Sequence, residues 1–359
     1  MKKIIFIAIV FALLAASFAF AENAKKTMTA VIDEGTNYVF HVLAVSRVNF
    51  SSDYAFIYKD TVVAEDRDYI YKQYKHLALS DEEEDGPLAK IIILFPAYIN
   101  LDTKDKIKEY YSLLNGGLRS GDFGSFINKY SAHIETFNTW PLYKEKINEN
   151  YLKSLDGYAE IIKRIGEVYV RNFSVYDKRL WKYEKMKIER TSTIINEYLK
   201  YANLMQKWEA FSGLKFKADN YYVLMCRSME GGPKSIPLGY DRNVFYSDMP
   251  LSSSNRLVSH QAGAALLVDG FVEARKSGNY KASDLYIAYQ NLVEFCNCQV
   301  LKITYIYNLM PESYHGEEYM KIYNDIYEQN KSISVKDTLA QGIDAFLNAQ
   351  AEAKSVVPE

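Results

Sequence analysis

The chain has 359 residues, of which 48% are hydrophobic and 25% charged, and its 43 basic side chains nearly balance 45 acidic ones. This composition is typical of a globular protein and excludes disordered, collagen-like and low-complexity chains. The net charge of -2 lacks the basic excess that nucleic-acid binders gather on one face, so we expect no nucleic-acid partner.

The first 21 residues have the pattern of a secretory signal peptide. Lys2 and Lys3 precede the apolar residues 4–14, and a small-x-small sequence ends at Ala21. The pattern predicts cleavage after Ala21, so that Glu22 begins a mature chain exported to the periplasm or the extracellular space. No later segment approaches the ~20 apolar residues that a membrane-spanning helix needs, so we expect no membrane span in the mature chain.

Helical spacing of apolar residues dominates the first half of the mature chain. The predicted helices, the last two of them long, cover residues 38–48, 65–77, 107–114, 142–169 and 179–211. We therefore predict a helical N-terminal region over residues 22–200.

The pattern changes after Gly213. Residues 221–226 and 244–246 are β-prone and flank a turn rich in glycine and proline, and we predict that they pair as a small antiparallel sheet. The helices predicted after the sheet cover residues 256–276, 282–310, 317–329 and 335–353. The chain is thus predicted to be α+β, mostly α, with the sheet and the C-terminal helices in residues 201–359.

Three cysteines leave two alternatives open. In an oxidising compartment, Cys226 could form a disulfide with Cys296 or Cys298, which lie two apart on a predicted helix and point to different faces. Alternatively, all three are buried free thiols that act as small hydrophobic side chains. A cysteine zinc site is not expected, because there is no Cys-x-x-Cys pair.

One predicted helix carries a motif with chemical meaning, the run from His260 through Gln261 to Ala264. It resembles the active-site helix of the zincins, zinc metallopeptidases with His-Glu-Ala-Gly-His-Ala in an apolar helix. In that family two histidines one turn apart bind zinc, and the glutamate is the general base for zinc-bound water. The resemblance covers roughly residues 220–300 and implies a cleft flanked by an edge strand.

The resemblance also implies a third ligand position. In the Glu-type zincins, the gluzincins, a glutamate on the following helix completes the zinc site. By this resemblance Gln290 stands at that position, with Glu294 and Asp284 as alternatives.

The departures from the motif remove the chemistry. Ala264 has no donor atom where the second histidine would stand, and Gln261 cannot accept a proton from water. Gln290 offers only a neutral oxygen, so His260 is the one good ligand of the three that a catalytic zinc normally needs. We therefore expect no bound metal, no cofactor and no catalytic residue, which argues against an enzyme.

Three interpretations follow. The first is an exported, catalytically inactive gluzincin-like protein that binds a peptide or protein in its cleft by strand addition. It requires the helix of residue 256 beside the sheet, His260 and Ala264 at a cleft, and the helix of the 280s opposite. The second is a secreted helical binding or envelope-structural protein in which His260 is a core residue. The third is an active peptidase with metal ligands from elsewhere in the chain.

Overall fold

The structure, a computed structural model, describes residues 26–79, 85–305, 312–331 and 334–356. The predicted signal peptide, residues 1–21, lies outside these ranges. Helices account for most of the described chain and one small sheet accounts for its strands, so the predicted class, α+β and mostly α, is confirmed. None of the described helices combines the length and the apolar character needed to span a bilayer.

The elements before the second strand are mostly helical. They are β1 (Thr27–Val31), α1 (Glu34–Val45), α2 (Asp53–Ile57), α3 (Ala64–Lys72), α4 (Tyr74–Leu77), α5 (Phe95–Tyr98), α6 (Lys104–Ser120), α7 (Gly124–Phe137), α8 (Glu149–Ser154), α9 (Ala159–Tyr176), α10 (Lys182–Ala202) and α11 (Leu204–Ser212). Short π-helical segments precede α5 and α10.

The remaining elements form the sheet and a helical cluster. They are β2 (Asn220–Cys226), β3 (Ser235–Pro237), β4 (Arg242–Tyr246), α12 (Leu251–Lys276), α13 (Ala282–Leu301), α14 (Gly316–Gln329) and α15 (Val335–Val356). The helices α12 and α13 pack against each other, and α12 also contacts β3.

The sheet is mixed, with the strand order β1-β2-β4-β3. The predicted antiparallel pairing of residues 221–226 with 244–246 is wrong, because β2 and β4 are parallel, with Leu224 opposite Val244. The turn predicted between them contains β3, which pairs antiparallel with β4. The chain therefore reverses direction twice between β2 and β4, and of the described strands only β3 is antiparallel to its neighbour.

The sheet also contains a strand that no pattern in the sequence predicted. β1 pairs parallel with β2, so Thr27 lies opposite Asn220 and Val31 opposite Leu224. One continuous hydrophobic core includes Tyr38 of α1 as well as Val293 of α13. The strand and the core thus join residues from both sides of the predicted boundary at residue 200.

The two long helices predicted in the first half are each interrupted. The helix predicted over residues 142–169 is replaced by α8 and α9 with a 3-10 turn between them. The second, over residues 179–211, breaks at Asn203, whose φ of 48° is left-handed. Asparagine tolerates this conformation better than most side chains, so it ends α10 and redirects the chain into α11.

Helix α12 packs so closely against α11 that one position on it favours glycine over any larger residue. A Cβ atom on Gly263 would lie 2.2 Å from the ring of Trp208, which is fully buried and whose Nε1 donates to the Ser259 hydroxyl at 3.1 Å. An indole held in this way cannot shift without losing its hydrogen bond. The close contact fixes the depth at which α12, and the motif it carries, sits in the core.

We expect Gly263→Ala to lower the free energy of unfolding by about 1–3 kcal/mol, because it overpacks this contact. Urea denaturation followed by circular dichroism measures the change. The matched control is Gly116→Ala in α6, where a Cβ meets nothing within 4 Å, and where a gain of about 0.5–1 kcal/mol is expected from helix propensity. Equal effects of the two substitutions would contradict the packing argument.

Candidate functional site

A cavity of about 950 Å³ lies beside the motif helix. One wall is the edge strand β3, a second is formed by residues of α12 and α13, and a third by residues 140–145. Both Gln261 and Arg275 of α12 line it, and 14 residues of helix extend about 21 Å. The cavity is therefore long enough for about six residues of an extended peptide.

Three of the four residues singled out by the zincin resemblance line this cavity, namely Gln261, Ala264 and Gln290. The fourth, His260, is only 3% exposed and lies behind Gln290, with its Nε2 atom 3.1 Å from the Gln290 Oε1 atom. Helix α13 thus stands against α12 at the motif. Of the two residues expected at a cleft, Ala264 lines the cavity, whereas His260 is a buried residue that does not line it.

Behind His260 lies a buried ion-pair network. The Nδ1 atom of His260 is 2.7 Å from Oε2 of Glu294, and Nε of Arg256 donates to Oε1 of Glu294 at 2.8 Å. A second guanidinium nitrogen of Arg256 also contacts that oxygen, and Asn297 donates to Oε2 at 3.2 Å. Glu294 is fully buried, so its charge depends on these partners.

The charge of Glu294 results from opposing effects. Burial raises the pKa of its carboxyl group, but the hydrogen bond and charge of His260, together with the charge of Arg256, outweigh burial and hold the pKa below its usual value. Glu294 is therefore an anion at neutral pH, and it accepts a hydrogen bond from Nδ1 of His260.

The other two candidates for the third position differ in their placement. Glu294 contacts His260 on the side away from the cavity. Asp284 lies in the first turn of α13, where it accepts a hydrogen bond from Ser283, and it is not part of the cavity wall. Gln290 is the one of the three that both contacts His260 and lines the cavity.

The cavity floor, which we define as Asn243, Gln261, Ala264 and Gln290, contains a pair of hydrogen-bonded amides that the sequence did not indicate. Nδ2 of Asn243, a residue of β4 that is 1% exposed, donates to Oε1 of Gln261 at 3.2 Å. The Oδ1 atom of Asn243 is buried without a hydrogen-bond partner among the described residues. An unsatisfied buried acceptor costs about 1–3 kcal/mol, and a water or ligand in the adjoining cavity could donate to this one.

The cavity walls are aromatic and carry charges of both signs. The aromatic lining residues are Trp140, Tyr143, Tyr151, Phe271, Tyr286 and Tyr289, and the charged ones are Asp85, Lys90, Lys144, Glu145 and Arg275. Burial lowers the pKa of the Lys90 ammonium group, which lies 4.7 Å from the ring centre of Tyr151. A ligand would thus meet broad apolar faces and a small excess of basic groups, three basic side chains against two acidic ones.

The residues around His260 do not fit a zinc ion as they are arranged. Both ring nitrogens of His260 have hydrogen-bond partners, and Ala264 offers no donor atom. Across the parts of the chain that the structure describes, three or more His, Cys, Asp or Glu side chains do not gather in a group suited to a metal ion.

All three cysteines are buried free thiols, which corresponds to the second of the two alternatives above. Burial raises the pKa of each to about 12. Cys226 contacts the Ser228 hydroxyl at 3.3 Å, and the Cys298 thiol donates to Glu294 at 3.6 Å. These thiols are protonated at neutral pH and serve the packing of the core.

Comparison of the chain with protein-family models, with curated proteins and with solved structures gives no match.

The ion-pair network has a signal in the sequence that is separate from the zincin motif. Arg256 and His260 are four residues apart, as are Gln290 and Glu294, so each pair lies on one face of its helix. Two polar pairs on otherwise apolar helices indicate that the helices face each other there. Asn243 has no comparable signal, because nothing within β4 marks which neighbour it contacts.

Proposed function

We propose that the protein is an exported, catalytically inactive relative of the gluzincins that binds an extended peptide without hydrolysing it. The observation that carries this proposal is the course of the cavity, which runs between the edge strand β3 and the motif residues Gln261 and Ala264. A peptide in that position would lie beside an unpaired strand edge and pass over the amide groups of the floor.

The edge of β3 can pair with a peptide backbone. The N–H groups of Tyr246 and Leu238 donate to the carbonyl oxygens of Lys234 and Arg242, each at 3.0 Å, which fixes the β3–β4 ladder. Because hydrogen-bonded residues alternate along an antiparallel pair, Ser235 directs its backbone N–H and C=O away from β4. This outward edge is what a peptide uses in strand addition.

The floor of the cavity supports binding rather than hydrolysis. Peptide hydrolysis by a zincin needs a metal-activated water and a carboxylate base. Here the base position holds Gln261, whose amide cannot take a proton, and the second ligand position holds Ala264. The aromatic walls supply apolar area that favours binding of a ligand.

The proposal is tested by isothermal titration calorimetry with hexapeptides acetylated and amidated at their ends, built of alanine with one Phe, Leu, Lys or Glu. We expect at least one of them to bind the mature protein. Ser235→Pro is expected to weaken binding about tenfold, because it removes the outward N–H and leaves a peptide carbonyl unpaired. Its matched control, Ser235→Ala, keeps the N–H and should bind like the wild type.

Two results would overturn the proposal. Strand addition is wrong if no hexapeptide binds at millimolar concentration, or if Ser235→Pro and Ser235→Ala bind equally well. The absence of hydrolysis is checked by mass spectrometry of the same peptides after incubation with protein and zinc chloride. Shorter products that are lost in His260→Ala would show an active metallopeptidase instead.

A further inference from the structure

We infer that the side-chain amides of Gln261 and Gln290 act together as hydrogen-bond donors to acceptor oxygens of the ligand, at the place where a zincin would hold its metal. The inference rests on the proposed peptide binding and adds to it the chemical group that is recognised. It makes Gln261 and Gln290 specificity-determining residues for a carbonyl or carboxylate oxygen.

The orientation of Gln261 is set by Asn243 on β4. Its Oε1 atom accepts the hydrogen bond from Asn243, and Asn243 is held in the core by its position on β4. The amide of Gln261 lines the cavity and its Nε2 group has no hydrogen-bond partner in the described parts of the chain. The oxygen of this amide is therefore engaged by the protein, and its two N–H donors are left for a ligand.

Gln290 is oriented in the same sense. Its Oε1 atom lies 3.1 Å from Nε2 of His260, and Nδ1 of His260 lies 2.7 Å from Oε2 of Glu294. The oxygen of Gln290 is thus the atom turned toward His260, and Glu294 fixes the orientation of the ring. Gln290 also lines the cavity, and its Nε2 group has no partner among the residues described.

The space and charge between these amides also bear on the ligand. Ala264, one turn beyond Gln261, lines the cavity with a methyl group that offers no polar atom. Glu294, the carboxylate that contacts His260 here, is fully buried, forms an ion pair with Arg256 and lies against Nδ1 of His260. The floor therefore offers neutral N–H donors beside a shielded anion, which suits an acceptor oxygen and disfavours an ammonium group.

Two sources can supply such an oxygen, a carbonyl within a peptide or the carboxylate at its C-terminus. The probes are therefore one hexapeptide from the calorimetric series in an amidated form and in a free-acid form. A third form carries a single thioamide, whose sulfur is a weak acceptor, at each position in turn. Tighter binding of the free acid would identify a terminal carboxylate, whereas equal binding would identify an internal carbonyl.

The variants are Gln261→Glu, which keeps an acceptor for Asn243 but presents an oxygen to the cavity, and the donor-free Gln261→Met and Gln290→Met. We expect Gln261→Glu to weaken binding of the amidated peptide by more than tenfold and each methionine variant by about fivefold. One thioamide position should weaken binding to the wild type and have no further effect in the double methionine variant. Circular dichroism confirms that each variant is folded.

A peptide-independent readout separates this inference from the proposed function. Side-chain NH₂ signals of protein labelled with ¹⁵N-glutamine, assigned with the methionine variants, are followed during titration with N-methylacetamide and with sodium acetate. We expect Gln261 and Gln290 to shift with at least one probe. If hexapeptides bind but each thioamide changes binding equally in the wild type and in the double methionine variant, the inference is wrong and peptide binding stands. If the glutamine signals shift while no hexapeptide binds, the donor site stands and strand addition is wrong.

Discussion

Replacing Glu294 with glutamine is expected to lower the free energy of unfolding by about 3–5 kcal/mol, because removal of one partner leaves a buried charge uncompensated. Arg256 is 6% exposed, and two of its guanidinium nitrogens donate to Glu294. Glutamine has nearly the same shape, so the packing is retained and the effect reports the lost charge. Urea denaturation of the two proteins at pH 7 measures it.

The control for this substitution is Glu167→Gln, which breaks an ion pair with Arg164 on the surface of α9. Both side chains are well exposed there, with 38% and 50% of their surface accessible, and such pairs contribute about 0–1 kcal/mol. If Glu294→Gln lowers the free energy of unfolding no more than Glu167→Gln does, Arg256 finds water or another partner when glutamine replaces Glu294.

The stabilisation that Glu294 contributes should also decrease at acidic pH. Its pKa in the folded protein lies below the usual value of 4.5, so the folded protein gives up this proton more readily than the unfolded chain. The resulting stabilisation is fully present above pH 4.5 and is lost as the pH falls through the folded pKa. The difference between wild type and Glu294→Gln is therefore expected to narrow below pH 4.5.

Local patterns predicted the parts of the fold that depend on neighbouring residues. The 3.6-residue period placed a helix at His260 and another at Gln290, and both are present as α12 and α13. These helix predictions use residues within one or two turns, where spacing alone fixes the face. The approach of His260 and Gln290, whose side chains are 3.1 Å apart, was implied by the resemblance to the gluzincins and not by local spacing.

The sheet was harder to predict because its order depends on distant residues. Thr27 pairs with Asn220 almost 200 residues away, and no pattern within β1 names its partner. The strand β3 has only three residues, one of them Pro237, so it is too short for alternation or β-branched enrichment to be recognised in the sequence. Without β3 the simplest connection between β2 and β4 is a hairpin, which led to the wrong antiparallel pairing.

The cavity floor depends on contacts between elements for the same reason. Gln261 was singled out for its place in the motif, but its orientation is set by Asn243 on β4, across the interface between helix and sheet. Likewise, the position of His260 is set by Glu294 on α13. A motif identifies which residues meet a ligand, whereas the residues that orient them lie on other elements and need the structure.

A second large effect, on the pH dependence of stability, is expected from His41, a fully buried residue of α1 that belongs to no motif. Its Nδ1 and Nε2 atoms contact the hydroxyl groups of Tyr54 at 2.9 Å and Thr61 at 2.8 Å. Both partners are neutral, and burial lowers the pKa of the ring from 6.5 to about 3. The folded protein therefore keeps His41 neutral at a pH where the unfolded chain binds a proton.

This difference in proton binding determines whether the stability of the folded protein rises or falls with pH. Below pH 6.5 the unfolded chain takes up a proton at His41 and the folded protein does not, so stability is lost as the pH falls from 6.5 towards 3. The loss is about 1.4 kcal/mol per pH unit, or about 2 kcal/mol between pH 6.5 and 5. Glu34 acts in the opposite direction, because burial and then the nearby Asp177 and Asp102 raise its pKa to about 7.

Comparison of variants isolates the contribution of His41 from that of Glu34. Urea denaturation from pH 5 to pH 7 is expected to show that His41→Gln loses less stability on acidification than the wild type, by about 2 kcal/mol, even though it is less stable at pH 7. His133→Gln, at an exposed position of α7, should follow the wild-type pH dependence. If His41→Gln and the wild type lose stability in parallel, the ring of His41 is protonated in the folded protein, and both hydroxyl groups then accept from it, whereas a neutral ring donates to only one of them.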